Sequence, residues 1–540
     1  MTLAVVAITP TALTLEISNG HCFRSPDPHS VSMNGVEALS TDHNVFTLRD
    51  LKSDTDYRIE VTTDGQTYHM TTRTRVLTVV LDPRAFGAKG DGVNDDSRAL
   101  QAALSACPPD GLVRLTDGDF VSGPLFLHSR TRLEVARGAS LLGLRDIDAW
   151  PLLPGVLSDA DGVTAAWLGS WEGESVTCHA ALLNILSTED VIIYGEGTID
   201  GRAGFDTWWS RDFIAHEKHV PRVSPRGRRT IADAQSGDET FSPFAGWRPR
   251  LIFAVDSRDL IFEGVTLANS PSWTLHPLNC TEVRAANLSI TAPADSPNTD
   301  GLNPESSTGV TIAGIHFTVG DDCIALKSGK VAMAKQVLRP TRNVQISNCH
   351  MQDGHGAVVI GSEMASGVYD IRVRDCLFTG TDRGLRIKTR RGRGRNAIVR
   401  DIRFDNIRMD GVGTPFVINS FYWCDPDGKT DYVASRDTLP VDDGTPSLGC
   451  LSLSRIHCTG VRSAAAWLLG LPEMPIDGIS IDGFSVRYAA DAPPEAPDMA
   501  ASMPPIARQG LYICNARHVR LDHIDIEGQD GEEIRLESVS

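Results

Sequence analysis

Positive charge is scarce in this chain: 51 Lys and Arg stand against 69 Asp and Glu, a formal net charge of -18. So acidic a chain lacks the broad basic surface that draws nucleic acid or anionic membrane, although it leaves room for a local basic pocket. Long apolar runs are also missing, and nothing approaches the roughly 20 residues that cross a bilayer as a helix. No CxxC pair and no HExxH occurs, and the histidines fall at no metal-ligand spacing, so neither a metal nor another cofactor is expected. At the N-terminus no Lys or Arg precedes the apolar run, which alternates with Thr and Pro, so no secretory leader is read there. Eleven cysteines cannot all pair, and Cys323, Cys349, Cys376 and Cys514 lie in apolar strand-like runs where a thiol packs as a small hydrophobe. Reduced cysteines in a cytoplasm fit that usage; periplasmic or secreted is the alternative if a leader has been removed.

What is present is the composition of a folded protein. With 540 residues, 41% hydrophobic and 22% charged, the chain is neither disordered nor collagen-like, and it is too long for one compact globule. Residues 1–76 carry short runs at period two (Leu13-Leu15-Ile17, Tyr57-Ile59-Val61, Tyr68-Met70) between polar clusters, which reads as a small antiparallel sandwich. The stretch Leu48 to Val61 resembles the tyrosine corner of fibronectin type III modules, with Tyr57 as the corner residue.

Residues 77–540 are repetitive. A unit of alternating apolar residues followed by Asn, Asp or Gly recurs as Leu260-Ile-Phe-Glu-Gly-Val265, Val283-Arg-Ala-Ala-Asn-Leu288, Val310-Thr-Ile-Ala-Gly-Ile315, Val344-Gln-Ile-Ser-Asn-Cys349 and Ile371-Arg-Val-Arg-Asp-Cys376. It continues in Ile402 to Ile407, Ile479 to Phe484 and Val519 to Ile524. The first starts lie about 23, 27, 34, 27 and 31 residues apart, too far for hairpins and too close for a helix in every unit. The expected fold is all-β, a right-handed parallel β-helix whose strands stack about 4.8 Å apart and carry equivalent positions into ladders. Asn94-Asp-Asp-Ser97 followed by Arg98 to Ala106 reads as an amphipathic helix capping the open end of the solenoid. The segment from about 205 to 247 breaks the period with Trp208, Trp209, Arg222, Arg226, Arg228 and Arg229, and reads as an inserted loop overhanging one face.

Four polar clusters interrupt the repeat: Asn298-Thr-Asp300-Gly301, Gly320-Asp321-Asp322-Cys323, Gly354-His355-Gly356 and Arg386-Ile-Lys388-Thr389. They lie about one coil apart, so stacking brings them to one place. Three carboxylates in one place raise one another's pKa, which keeps one acid protonated while another stays ionised. That suits glycoside hydrolysis, with one carboxyl protonating the leaving oxygen and another activating water, while Arg and Lys beside them favour an anionic sugar. Taken singly, an Asp pair at a turn is ordinarily a solvated or capping pair, and a His between glycines a turn residue; their ordered co-occurrence reverses those odds. Cys323 reads as core packing, and Trp273 as either a sugar-facing or a core aromatic. The run Arg390 to Arg395, with Arg391 and Arg393, reads as a grip for uronate carboxylates in so acidic a chain.

In this order the four clusters resemble glycoside hydrolase family 28, the polygalacturonases, over roughly Asp82 to the C-terminus. The resemblance implies that Asp321 is the general acid, that Asp300 and Asp322 activate the water, and that cleavage inverts the anomeric configuration. It further implies that His355 supports the acid, and that Arg386 and Lys388 bind the galacturonate carboxylate near the cut, with Asn298 beside them. Galacturonan or its oligomers is the implied substrate. The inserted loop, the N-terminal module and the cytoplasmic reading favour exo action. The alternatives are an endo-polygalacturonase, a hydrolase of xylogalacturonan or rhamnogalacturonan, a lyase on the same fold, and a non-catalytic carbohydrate-binding solenoid. The oligomeric state is not legible.

Overall fold

Strands that are apolar at every second position need a neighbour on each side and a sharp corner at the end, and stacked coils supply both. The computed structural model describes residues 2–158, 164–210, 247–424, 427–501 and 503–540, and from Val80 onward it is a right-handed parallel β-helix. The register follows the sequence repeat. Leu260 lies on Val283, Val283 on Val310, Val310 on Val344, Val344 on Ile371 and Ile371 on Ile402. The fifth residue of each unit makes the corner with a left-handed backbone: Asn287 (φ 52), Gly314 (φ 65), Asn348 (φ 49), Asp375 (φ 55) and Asn406 (φ 55). That conformation explains the Asn, Asp or Gly there. One coil escapes the repeat as read: Leu451 to Ile456 lies between Ile402 and Ile479 in the same ladder, after a long excursion from the ladder.

The helix α1 (Ser97–Ala106) turns Leu100, Ala103 and Leu104 onto the first coils. Asp96 before it accepts from the backbone N–H of Lys89 (2.6 Å) and Gly90 (2.9 Å), tying the entry turn to the helix start.

The N-terminal module has seven strands: β1 (Thr2–Ile8), β2 (Leu13–Ser18), β3 (Arg24–Met33), β4 (Val36–His43), β5 (Val45–Leu48), β6 (Asp56–Thr63) and β7 (Gln66–Arg73). They form a sandwich of β1-β2-β5 on β4-β3-β6-β7, closed over Leu15, Val31, Phe46 and Ile59. The Tyr57 hydroxyl accepts from the Lys52 N–H at 2.8 Å, the link a tyrosine corner requires. The module lies against the outer face of the repeat ladder, where Val6, Ala7 and Val45 cover Tyr194, Ile261, Ala286 and Ala313. Within that contact Glu263, fully buried, accepts from Arg49 Nη1 (3.1 Å), Arg49 Nη2 (2.8 Å) and Thr47 (2.7 Å).

The reading of 205–247 as an overhanging loop needs correction at its start. Trp208 and Trp209 are buried, and Trp208 meets Trp150 and His179 edge to face; indole area of that size belongs in a core. Residues 211–246, with Arg222, Arg226, Arg228 and Arg229, lie outside the described residues. Among the described residues no helix is long and apolar enough to cross a membrane.

Candidate active site

The site rests on a different ladder from the one that carries the module. Leu275, Leu302 and Ile324 pair from coil to coil, and Asp322 pairs with Gly356. Two residues before the first three, Trp273, Asp300 and Asp322 therefore fall in one column, with Gly356 next in line. On the coils that follow, Arg386 pairs with Val417 and Lys388 with Asn419. The four clusters thus converge because strand register makes them neighbours. The glycines allow the coils to close. Gly354 holds φ 84, and a Cβ there would stand 2.5 Å from the Asp321 carbonyl oxygen.

Asp300 and Asp322 are buried, whereas Asp321 keeps 22% of its side chain exposed and His355 keeps 53%. The Asp321 Oδ1 atom accepts from the Asp322 N–H (3.0 Å) and lies 3.3 Å from His355 Nδ1. Burial, with the charges of Asp321 and Asp322, holds Asp300 well above the ordinary carboxylate range, against Lys327 and Asn303. Burial also pushes Asp321 up, but its link to His355 and the charges of Lys388 and Lys327 outweigh it and hold Asp321 low. The same link raises His355 above the ordinary imidazole value against its own desolvation. The two carboxyls are thus driven in opposite directions, Asp300 up by burial and its acidic neighbours and Asp321 down by its link to His355. Asp322 Oδ2 accepts from Lys388 Nζ (2.9 Å), while its buried Oδ1 accepts no hydrogen bond from the described residues.

Asn298 Oδ1 accepts from Arg248 Nη2 at 2.7 Å. Arg386 and Lys388 are buried, and the Arg386 guanidinium bonds Asp498 (2.6 and 3.1 Å). Arg391 does not serve the cleft. It is 1% exposed, clamps Glu473 (2.6 and 2.9 Å) and donates to the carbonyls of Tyr432 and Ser435, so its donors are committed to holding a loop. Arg393 is also buried rather than presented to a polyanion. Trp273 is buried, stacked on Trp171 (5.9 Å, 12°) and covered by the Lys327 ammonium at 4.5 Å, which makes it floor rather than a free sugar platform.

Several partners were not found by sequence reasoning. Asn303 Nδ2 donates to Asp300 Oδ2 (2.7 Å); its signal was its place three residues after Asp300. Lys327 directly follows the strand Asp322–Leu326, and its ammonium lies 2.9 Å from Glu363 and 4.0 Å from Asp300. Burial opposes that ammonium, but the charges of Glu363, Asp300 and Asp322 prevail and raise its pKa. Asp498 carried no local signal. No group of three or more metal-ligating side chains occurs among the described residues.

A family model described as glycosyl hydrolases family 28 matches residues 238–441. A probable polygalacturonase of Vitis vinifera is 31% identical over 414 residues, covering 75% of this chain and 74% of the relative. An endo-polygalacturonase of Pectobacterium carotovorum subsp. carotovorum is 30% identical over 60% of this chain and 71% of its own. Among solved structures, the family 28 exopolygalacturonase of Yersinia enterocolitica superposes with a TM-score of 0.68 at 19% identity, over 100% of this chain and 98% of that one. That last likeness is one of fold.

Proposed function

Because this chain belongs to the glycosyl hydrolases of family 28, we propose that it hydrolyses the α-1,4 linkages of galacturonan and oligogalacturonides, inverting the anomeric carbon and releasing sugar from a chain end. The observation that carries the mechanism is geometric: Asp300 and Asp322 are buried in the same column, and Asp322 Oδ1 accepts no hydrogen bond from the described residues. A water between them gives a proton to Asp322 as it attacks the anomeric carbon, with Asp300 donating to and orienting it. On the other side the glycosidic oxygen takes the proton of the Asp321–His355 pair through Asp321, whose carboxyl is the part-exposed one of the three. Lys388 holds Asp322 in place by donating to Oδ2 (2.9 Å). One net proton moves from water to the leaving sugar, and no covalent intermediate forms.

Exo action is supported by two segments that come to this ladder from outside it. The hairpin at Trp171 brings Glu172 and Glu174 within 3.7 and 3.6 Å of the Lys330 ammonium. The loop before Gln509 lies against Arg383, Arg386 and Tyr422. Together they favour a pocket over an open groove. The second reading, endo action, is favoured by the relative from Pectobacterium. A time course of products from polygalacturonate separates them: monomer alone from the first minutes supports the exo reading, and an early ladder of oligomers removes it. A reducing compartment is part of the proposal, since the buried Cys349, Cys376 and Cys458 form no disulfide.

The pH dependence follows from the Asp321–His355 pair. Its proton is present below the raised imidazole pKa and is lost as pH climbs through it, so kcat/KM is expected to fall on an alkaline limb above about 6.5. In His355→Asn that limb moves away from the imidazole range and the rate drops. An unchanged limb in the variant would show that the acid draws its proton elsewhere.

A further inference from the structure

The ladder that carries the N-terminal module is only partly covered by it. Arg374, at the edge of that contact, is taken by Glu16 of the module (2.8 Å). Earlier positions on the same coils point outward and are basic. In one column Arg342 pairs with Tyr369 and Tyr369 with Arg400. In the next column Arg372 pairs with Arg403, across a corner made by left-handed Asn343 (φ 52), Asp370 (φ 56) and Asp401 (φ 55). Arg342, Arg372, Arg400 and Arg403 are exposed, and Tyr369 between two of them is partly exposed. On neighbouring coils these columns hold Thr308, Thr311 and Ser452, so the charge is local.

A lone exposed arginine is ordinarily a solvated charge. Here Arg372 lies 3.3 Å from Asp370 and Arg400 3.6 Å from Asp401, pairs too exposed to bind strongly. The side chains of Arg342 and Arg403 make no hydrogen bond and no ion pair with the described residues. A chain of net charge -18 repels polyanions at range, so holding one requires such local, uncommitted cations. The register sets their spacing at about 4.8 Å per coil, comparable with one pyranose unit of an extended polysaccharide. A guanidinium lends two parallel donors to a carboxylate, and a tyrosine offers a sugar both an apolar face and a hydroxyl. The Arg400 guanidinium stands 5.6 Å from the centre of the Tyr369 ring, which joins the two functions in one surface.

We propose that Arg342, Arg372, Arg400 and Arg403, with Tyr369, form a second, non-catalytic binding site for galacturonan, in which uronate carboxylates of one polymer chain lie along the solenoid axis and are taken by successive coils. The site rests on the galacturonan reading above and extends it. The cleft carboxylates belong to the ladder of Asp322–Leu326, and the arginines to that of Thr341–Ser347. The polymer is thus held on a different ladder from the one that cuts it, which keeps chain ends close to the cleft.

The test uses the Asp321→Asn protein, which consumes the polymer slowly, and reads its retardation in gels containing polygalacturonate. Adding Arg342→Gln/Arg403→Gln, two replacements that break no contact with the described residues, is expected to weaken retention roughly tenfold or more. In the active enzyme the same pair is expected to raise KM for polygalacturonate by a similar factor, while kcat/KM on digalacturonate stays within about twofold of wild type. The control is Arg517→Gln/Arg520→Gln, which removes as much positive charge from the same ladder beyond Ser452 and Ser480 and is expected to leave retention unchanged. Retention unaltered in Arg342→Gln/Arg403→Gln, or lost equally in the control, overturns the proposal. So does equal retention of the Asp321→Asn protein by double-stranded DNA at the same salt, because a surface that reads charge alone is not a uronan site. Wild type inert on every galacturonan would sink the functional reading, while the gel comparison would still decide whether this face binds the polymer.

Discussion

Asp321→Asn is expected to lower kcat by on the order of 10²–10⁴ without unfolding the protein. The amide keeps the shape of the carboxyl and can still accept from the Asp322 N–H, but it cannot pass a proton from His355 to the leaving oxygen. KM should move little, because Asp321 is engaged by His355 and backbone and not by a distant subsite. Asp322→Asn is expected to cost as much for the opposite reason: an amide cannot take a proton from the water that Oδ1, which accepts no hydrogen bond from the described residues, is left to engage. Steady-state kinetics on oligogalacturonate with circular dichroism of each variant checks both. A folded Asp321→Asn enzyme of near wild-type rate would take the acid role away from this residue.

The second large effect concerns stability rather than chemistry. Arg49→Ala leaves Glu263 buried and without its cation, a loss of about 3–5 kcal/mol for a pair of this kind. Burial already holds Glu263 above the ordinary glutamate value, in spite of Arg49 and Thr47, and the variant raises it further. A carboxyl whose folded pKa is raised binds more protons folded than unfolded, so its stability falls as pH rises from about 4.3 toward the folded value. The melting deficit of Arg49→Ala is therefore expected to be larger at pH 8 than at pH 5. An equal deficit at both would mean that the charge of Glu263 is not what the module compensates. Excising residues 1–76 goes further by uncovering Tyr194, Ile261, Ala286 and Ala313, each 1% exposed or less. Loss of solubility or melting temperature is expected ahead of any loss of chemistry, because the carboxylates stand on another ladder.

What the sequence made legible was what strand register transmits. A period of one coil turns Leu260, Val283 and Val310 into a ladder, and the same period carries Asp300 beside Asp322 although 22 positions separate them in the chain. The left-handed corners explain the Asn and Asp that mark each unit. Contacts made by loops obey no period. Asp498 reaches Arg386 across 112 residues, and Glu473 reaches Arg391 across 82, so an arginine-rich run that looked like a polyanion grip is partly framework. Trp208 looked like part of an overhang because its neighbours break the repeat, yet its burial is decided by Trp150 and His179, which lie elsewhere in the chain. Sequence identifies three acids, but only geometry reveals that His355 holds Asp321 down while burial holds Asp300 up.

The most direct test of the account is the anomeric configuration of the sugar released by the wild-type enzyme from an oligogalacturonate, followed by proton NMR in the first minutes before mutarotation. A water activated by Asp322 and Asp300 on the face opposite Asp321 predicts that β-galacturonate appears first and the α-anomer grows in later. Initial α-anomer would mean a covalent intermediate, and an unsaturated product absorbing in the ultraviolet would mean elimination; either result contradicts the mechanism built here on Asp300, Asp321 and Asp322.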